Sequence, residues 1–587
     1  MRWTSKTASR AIVRSGTLGL LPFMGHLLWV MPAQAQSGSP EPDQIVTSSF
    51  ANPDEQGDGT LNAAAKAAIE HGPLPMSEAE VAAKAAITHA RQTPGAPAPF
   101  ALVVPLKPPT VFGGFNQAGQ SFSGRSPSDS TGAIGPSSYI QLVSTGVVIY
   151  SRKAGAQPIS ASNLHTLANV ASTVNVFDPQ MIWDSTTNRF YYAMDAVYST
   201  KYNTIAYGFS KNPAPANLTK DWCHYTTGNL YGSLFPDYPK LGDSQFFVLV
   251  GVNTYKSEQS NDQALSYVRS DLIAVKKPRS GIITTCPSTT QFFLKKSLVD
   301  SSGKQVGTPV PANQIDASSV GYVVARDGTV PSRKIWIFTV RRNFATGAPI
   351  FDPAKALATP NYDFPPDIQQ PSGGFPLDAQ DARMTQAVQA QDPWFHTFSL
   401  WTQHTIGHLQ TSSGNWIAVV RWYEIDPLPA IPTIKNWGEI SKTTDDDYFN
   451  GAISPDRTAR GKFGNSFVIE YNHVSSQSNI YPDIEVISGT NGSQPSAYSS
   501  LLIQSGGNSP YHDYTCPPRP VFVGGGTIRQ FYLIRTRRPR AAGSFGAQTN
   551  IPRAIPMRAA GSPRSSRQRR NLIWELCYLG STAPAGP

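Results

Sequence analysis

The sequence predicts an all-β chain built as a β-propeller of about six to eight blades, preceded by a short Ala-rich helical segment. Three observations carry this reading. From Phe100 onward the apolar residues change from helical spacing to two-residue alternation and keep it. Short aromatic and β-branched runs recur between turn clusters, among them YIQLV, VVIY, QMIWD, RFYYAMD, TIAYGFS, QFFVLVGV, DLIAV, VGYVVAR, IWIFTV, NWIAVVRWYEI and SFVIEYN. The pattern persists over residues 100–518, too far for one sandwich, whereas a propeller grows by adding blades of roughly 40–50 residues. Fifty Pro and 47 Gly, against only 15% charged residues, agree with many turns and few long helices.

In chain order, residues 1–35 read as a signal peptide. Arg2 to Arg14 form a basic stretch, Leu18 to Met31 an apolar one broken by Pro22, and Ala33-Gln34-Ala35 a small-x-small cleavage site. The expectation is an exported chain, secreted or periplasmic, with no transmembrane span once the signal is cleaved. Residues 36–60 are rich in Pro, Gly and small polar groups and read as a disordered leader. Residues 61–99 form the Ala-rich helical segment. Ser77 with Glu80 three residues on makes a capping box, which places a helix at about 78–91, stopped before Pro94. Its apolar residues are mostly Ala and bury little surface, so it reads as an arm packed on the main domain or a linker. The stretch Ser126–Gly155 then holds a polar turn at Asp129 and Gly132, a strand over Tyr139–Val143, a tight link at Thr145-Gly146 and a strand over Val147–Tyr150. It reads as one hairpin of a blade.

The net charge of +10 sits at the ends. Twelve Arg and a single acid, Glu575, lie from Arg519 onward, so that tail carries +11 and residues 1–518 carry −1. With the basic N-terminal stretch set aside, the body 36–518 is near −5. A nucleic-acid binder would carry basic charge on its folded part, so that partner class is excluded. The expected partner is an extracellular or cell-surface polymer or protein, met by a monomer.

The segments TGAIGPSSYIQLVSTGVVIYSRKAG, FDPQMIWDSTTNRFYYAMD, FPDYPKLGDSQFFVLVGVNTY and the run LDAQDARM…HTIGH…IAVVRWYEI resemble a family of exported bacterial β-propeller-like proteins, mostly of unassigned function. The resemblance covers about Pro108 to Ser500. It implies a fold and an exported life, and no agreed chemistry. The tail departs from the pattern. Similar proteins close with R-W-G-D-Y-S and a last strand ending in E-Y, whereas here the chain after Cys516 reads PPRPVFVGGGTIRQFYLIRTRRPR. Residues Val523 to Arg529 can be encoded so that a one-nucleotide shift yields R-W-G-D-Y-S. Residues 519–587 therefore read as out-of-frame translation, with a genuine basic, disordered tail as the alternative. A propeller that shares its first and last strands within one blade would lose its closure along with the true last strands.

Three segments place an acid just before an apolar strand: Asp178-Pro179, Asp237-Tyr238-Pro239-Lys240, and Asp381 with Arg383. If these are the inner strands of successive blades, the acids converge on one mouth of the channel, and Asp129 and Asp378 join them. The competing reading has each Asp cap its own turn. His404 and His408 are four apart on what reads as a strand, roughly 13 Å from each other, which argues against shared metal ligation. Asp445, Asp446 and Asp447 with Asn450 form the densest acidic cluster. Ca²⁺ is the ion such oxygens would take, but the EF-hand pattern is incomplete and a solvated loop is the expectation. No cofactor is expected. Of four cysteines, Cys223 and Cys286 are the expected disulfide, and no CxxC exists for zinc.

Two functions remain open. One is an exported scaffold for binding or surface interaction. The other is an extracellular hydrolase of glycan or other polymer with Asp178, Asp237 and Asp381 as its acids. A sialidase propeller is the natural analogy, but its S-x-D-x-G-x-x-W turn has no copy here, and no G-x-S-x-G elbow, P-loop or dinucleotide fingerprint is present.

Overall fold

The protein is described here from a computed structural model that covers residues 44–57, 78–91, 119–120, 129–153, 157–257, 265–374, 376–391, 397–410, 414–441, 446–455, 466–490 and 500–511. Six sheets of four or five strands follow one another along the chain. Blade 1 is Thr131–Ile134, Ser138–Val143, Gly146–Ser151 and Pro158–Asn163; blade 2 is Asn175–Asp184, Arg189–Ser199, Tyr202–Ser210 and Trp222–Thr226. Blade 3 is Phe235–Asp243, Phe247–Ser257, Leu265–Lys276 and Gln291–Lys295. Blade 4 is Gly307–Pro311, Val320–Arg326 and Ser332–Arg342, with Pro349–Phe351 and Lys355–Tyr362 both paired to its third strand. Blade 5 is Met384–Gln391, Phe398–Leu409, Trp416–Asp426 and Thr433–Ile440, and blade 6 is Asp446–Pro455, Ser466–Ser475, Ile480–Thr490 and Leu501–Gln504. From blade 1 through blade 6, the first strand of each blade touches the first strand of the next, so these strands line the axis. The fold is a six-bladed β-propeller.

The second and third strands are the aromatic and β-branched runs, and both of their faces are covered by neighbouring blades. Ile140, Leu142 and Val147 of blade 1 meet Met181, Phe190 and Trp222 of blade 2. Phe247 and Leu249 of blade 3 meet Trp336 and Phe338 of blade 4, and Trp401 and Trp422 of blade 5 meet Phe467 and Tyr471 of blade 6. Each such side chain, fully buried, stabilises the ring by about 1.5–3 kcal/mol. Close approach fixes some residue choices. Gly251 lies against the Pro309 carbonyl of the next blade, where a Cβ would collide. The last interface differs. On the faces of blades 1 and 6 that complete the ring, among the described residues, Ile134, Tyr139, Val148 and Tyr150 form one small cluster and Val468 with Val486 another.

Each first strand carries, within it or up to two residues before it, a residue with left-handed backbone. These are Asp129, Asp178, Tyr238, Thr308, Ala382 and Asn450, with φ between 44° and 62°. In blades 2, 3, 4 and 6 the pairing register shifts at this residue, as a β-bulge demands, and in blade 5 it shifts further on, between Met384 and Gln386. Pro179, Pro239 and Pro309 follow it in three blades, and proline suits a bulge because no ladder hydrogen bond is lost there. At the far end of the first strands, Lys277 sits buried between Asp184 of blade 2, at 2.8 Å, and Asp243 of blade 3, at 2.6 Å. Gln314 donates to Asp243 as well.

Three sequence expectations are corrected. Residues 44–50 were expected in a disordered leader, but Gln44–Thr47 pairs with Gln291–Lys295 as the outer strand of blade 3 and Ser49–Phe50 pairs with blade 2. Ring closure was expected to share a blade between the two chain ends, whereas blade 1 and blade 6 each form four strands from consecutive sequence. Asp446 and Asp447 were expected in a solvated loop. They begin the first strand of blade 6 and are buried, and Asp447 accepts the Ala418 amide at 2.8 Å. Asp445 and the basic tail from Arg519 lie outside the described residues.

Cys223 and Cys286 form a disulfide across a separation of 63 residues. It joins blade 2 to the segment before the outer strand of blade 3. The helix Glu78–Arg91 packs Ala83 and Ile87 against the core between blades 4 and 5. Among the described residues no helix is long and apolar enough to cross a membrane.

Candidate functional site

The bulges set the site. An acid lies at or just before the left-handed position in blades 1, 2, 3 and 5, as Asp129, Asp178, Asp237 and Asp381, whereas blade 4 has Gly307-Thr308 and blade 6 Phe449-Asn450 there, so the acids form a partial set. Two groups form within it. In the first, Asp178 and Asp195 of blade 2 and Asp237 of blade 3 each bring a carboxylate oxygen within 4.8 Å of the others, and all three are buried. Asp195 comes from the second strand of blade 2, where it pairs with Phe177. The second strand of blade 3 supplies Asn253 opposite Asp237 and the fully buried Tyr255, whose hydroxyl is pushed well above its ordinary value by burial and then by the Asp237 charge.

The second group joins blades 3, 4 and 5. Asp381 accepts from Arg383 Nε at 2.6 Å and pairs with Arg326 at 3.3 Å. Burial alone would raise the Asp381 carboxyl, but the two guanidiniums outweigh it and hold it below the usual carboxylate range. The Arg383 guanidinium lies 4.5 Å from the centre of the Tyr238 ring, and the Lys240 ammonium lies 4.1 Å from the same ring. Tyr238 of blade 3 thus reaches Arg383 of blade 5 and takes two cations on its ring.

The helix completes this side of the mouth. Glu80 pairs with Arg326 at 3.3 Å, and one turn later Lys84 pairs with Asp367 at 3.0 Å and with Asp378. Burial alone would lower the Lys84 ammonium, but Asp367 and Asp378 more than reverse it. Thr88, one further turn on, accepts the Asp367 amide at 3.0 Å. The i, i+4, i+8 spacing puts all three polar groups on one helix face. That face, and not the small apolar one, anchors the helix.

The structure therefore brings Asp178 with Asp237, and Asp381 with Arg383, while Asp378 serves the helix. Asp129 stands at the bulge position of blade 1, half-buried, and Lys240 stacks on Tyr238. Asn450 is the bulge residue of blade 6, with its amide donating to Thr405 at 3.0 Å. His404 donates from Nδ1 to the Ala382 carbonyl at 2.9 Å and accepts from the Tyr423 hydroxyl at 3.1 Å, and burial lowers its pKa to about 3. His408 pairs with Glu439 at 3.0 Å. Sequence reasoning missed Asp195, Arg326, Glu80 and Lys84. The first two had a signal, a charge that ends each of the apolar runs RFYYAMD and VGYVVAR.

No family model matches the chain, and no curated protein matches it. Solved structures similar in fold include an exo-β-1,3-galactanase from Clostridium thermocellum, at 10% identity and TM-score 0.28, over 65% of this chain and 82% of that one. The haemagglutinin-neuraminidase ectodomain of parainfluenza virus 5 matches at 8% and 0.32, over 70% of this chain and 87% of that one. An endo-arabinanase from Bacillus licheniformis matches at 12% and 0.23, over 54% and 99%. At these scores the likeness carries no argument about activity.

Proposed function

We propose that the chain is an exported scaffold, secreted or periplasmic, that binds an extracellular or cell-surface polymer or protein at the mouth ringed by the bulges. One observation carries this reading: the charges on the blade 3 to blade 5 side are locked in ion pairs and stacks. Arg326 and Arg383 with Asp381 and Glu80 form a fixed, mutually neutralising set, which suits recognition by shape and dipole. A general acid needs a carboxyl raised toward neutrality, and Asp381 is held low. Contact with a partner is expected on the opposite side, around the half-buried Asp129 and the buried Asp178, since the helix covers the blade 4 and 5 side.

A second reading, a hydrolase of glycan or another polymer, is favoured by the convergence of Asp178, Asp195 and Asp237 within 4.8 Å. Retaining glycosidases hold their two carboxyls about 5–5.5 Å apart. One experiment separates the two. The purified chain is passed over a panel of immobilised glycans and surface proteins, and soluble reducing ends are measured in parallel. Retention without product supports the scaffold, and an Asp129→Asn variant is expected to weaken retention at least threefold. Turnover that falls by a factor of about 100 or more in Asp237→Asn supports the hydrolase. Neither retention nor turnover on any member would reject both.

A further inference from the structure

Away from the channel, three strands of blade 6 bring a histidine and three carboxylates to one face. Strand alternation does this. Asp446 and Tyr448 share a face of the first strand, Tyr471 and His473 of the second, Asp483 and Glu485 of the third. The register then places Tyr448 opposite His473 and His473 opposite Asp483, with Tyr471 opposite Glu485. His473 Nδ1 lies 3.3 Å from Asp483 Oδ1 and 3.7 Å from Glu485 Oε1. On the other edge of the ring, Nε2 faces Asp446 Oδ2 at 3.4 Å.

We infer that His473 Nδ1, Asp483 and Glu485 form a binding site for a divalent first-row transition ion of the zinc class. The spacing fits. Two ligands of one tetrahedral zinc, each at about 2.0–2.1 Å, stand about 3.4 Å apart, and the distances from Nδ1 to its two oxygen partners bracket that value. The donor set fits as well, since one imidazole with two carboxylates suits zinc, manganese or iron better than an all-oxygen calcium cage.

The second, independent observation lies outside the ligands. A metal-bound histidine characteristically gives its other N–H to a carboxylate, which fixes the tautomer. Asp446 stands where it can take the Nε2 proton and leave the Nδ1 lone pair directed at Asp483 and Glu485. Tyr448 stacks on the imidazole at 5.1 Å and 12° between planes, and its hydroxyl donates to Asp446 at 3.2 Å. The Tyr471 hydroxyl donates to the far oxygen of Glu485, Oε2, at 2.8 Å, leaving Oε1 turned toward the histidine. Both ligating and orienting groups are therefore held before any ion arrives. A plain ion pair would need no such arrangement of the outer hydrogen bonds. Binding an ion at Nδ1 releases to solvent whatever proton that nitrogen carries.

The test uses the full chain, stripped with chelator and titrated with ZnCl₂ by calorimetry in two buffers of different ionisation enthalpy. One ion per chain is expected, with affinity at least 100-fold weaker in His473→Gln and in Asp483→Asn. Tyr471→Phe is expected to weaken binding about 10-fold, as loss of an outer-shell partner does. Buffer-dependent heat is expected to report proton release that vanishes in His473→Gln. If those variants do not fold, X-ray absorption on the zinc-loaded wild-type chain decides. One imidazole nitrogen and carboxylate oxygens at about 2.0–2.2 Å support the site. Two or more imidazoles, or sulfur, overturn it, as do zinc binding unchanged in the variants and no stoichiometric binding to the folded wild-type chain.

Discussion

Glu470 lies in the middle of the second strand of blade 6, on the face toward blade 1. It is 2% exposed, and neither carboxylate oxygen has a hydrogen-bond partner among the described residues. Burial raises its pKa to about 8, against roughly 4.3 in an unfolded chain. The folded state thus keeps the proton longer than the unfolded state. Stability is greatest below the unfolded value, falls as pH rises between the two, and levels off above the folded one. Glu470→Gln is expected to flatten that fall and to stabilise the protein by on the order of 3 kcal/mol at pH near 9, read from denaturation midpoints across pH. Parallel profiles for variant and wild type would refute the assignment. Glu470 was legible in outline, as the single charge in SFVIEYN. Its lack of a partner was not, because partners come from strands distant in sequence.

Among the elements, the helix Glu78–Arg91 was placed from its capping residue and its Pro stop, and its weak apolar face was read correctly. Its anchorage was not legible. Three polar residues one turn apart look like an ordinary solvated face until the partners Arg326, Asp367 and Asp378 are in place. Lys84→Met leaves Asp378 buried without its cation, a loss of about 3–5 kcal/mol for a buried pair. The expected outcome is local: amide exchange protection over 78–91 is lost while the strands of blades 1 to 3 keep theirs. Equal loss across the ring would show that the helix is integral to the propeller. The outer strands at residues 44–50 escaped the sequence because edge strands lack the two-sided apolar pattern on which the blades were found.

For the whole molecule, alternation and length were enough to define a propeller, and the structure fixes six blades at the low end of the expected range. Blade count was hidden because most first strands are interrupted by a bulge and by Asp, Pro, Gly or Asn, unlike the apolar runs that follow them. The rim of blades 2 and 3 is tied twice, by Cys223–Cys286 and by the strands at 44–50, where Ser48 Oγ donates to the Thr290 carbonyl at 2.9 Å. Closing a loop of 63 residues stabilises a fold by about 2–4 kcal/mol. A Cys223→Ser, Cys286→Ser double variant should lose that much in denaturant unfolding, and an unchanged midpoint would deny the bond a stabilising role.

The apolar contact between blades 1 and 6 bears on assembly. The two surfaces that meet there come from the first and last blades in chain order, so five blades without the sixth form an open horseshoe with Ile134, Tyr139, Val148 and Tyr150 uncovered. That open jaw is adhesive until the final blade swings in, and a chain stalled at that stage would meet its neighbours through the same four side chains.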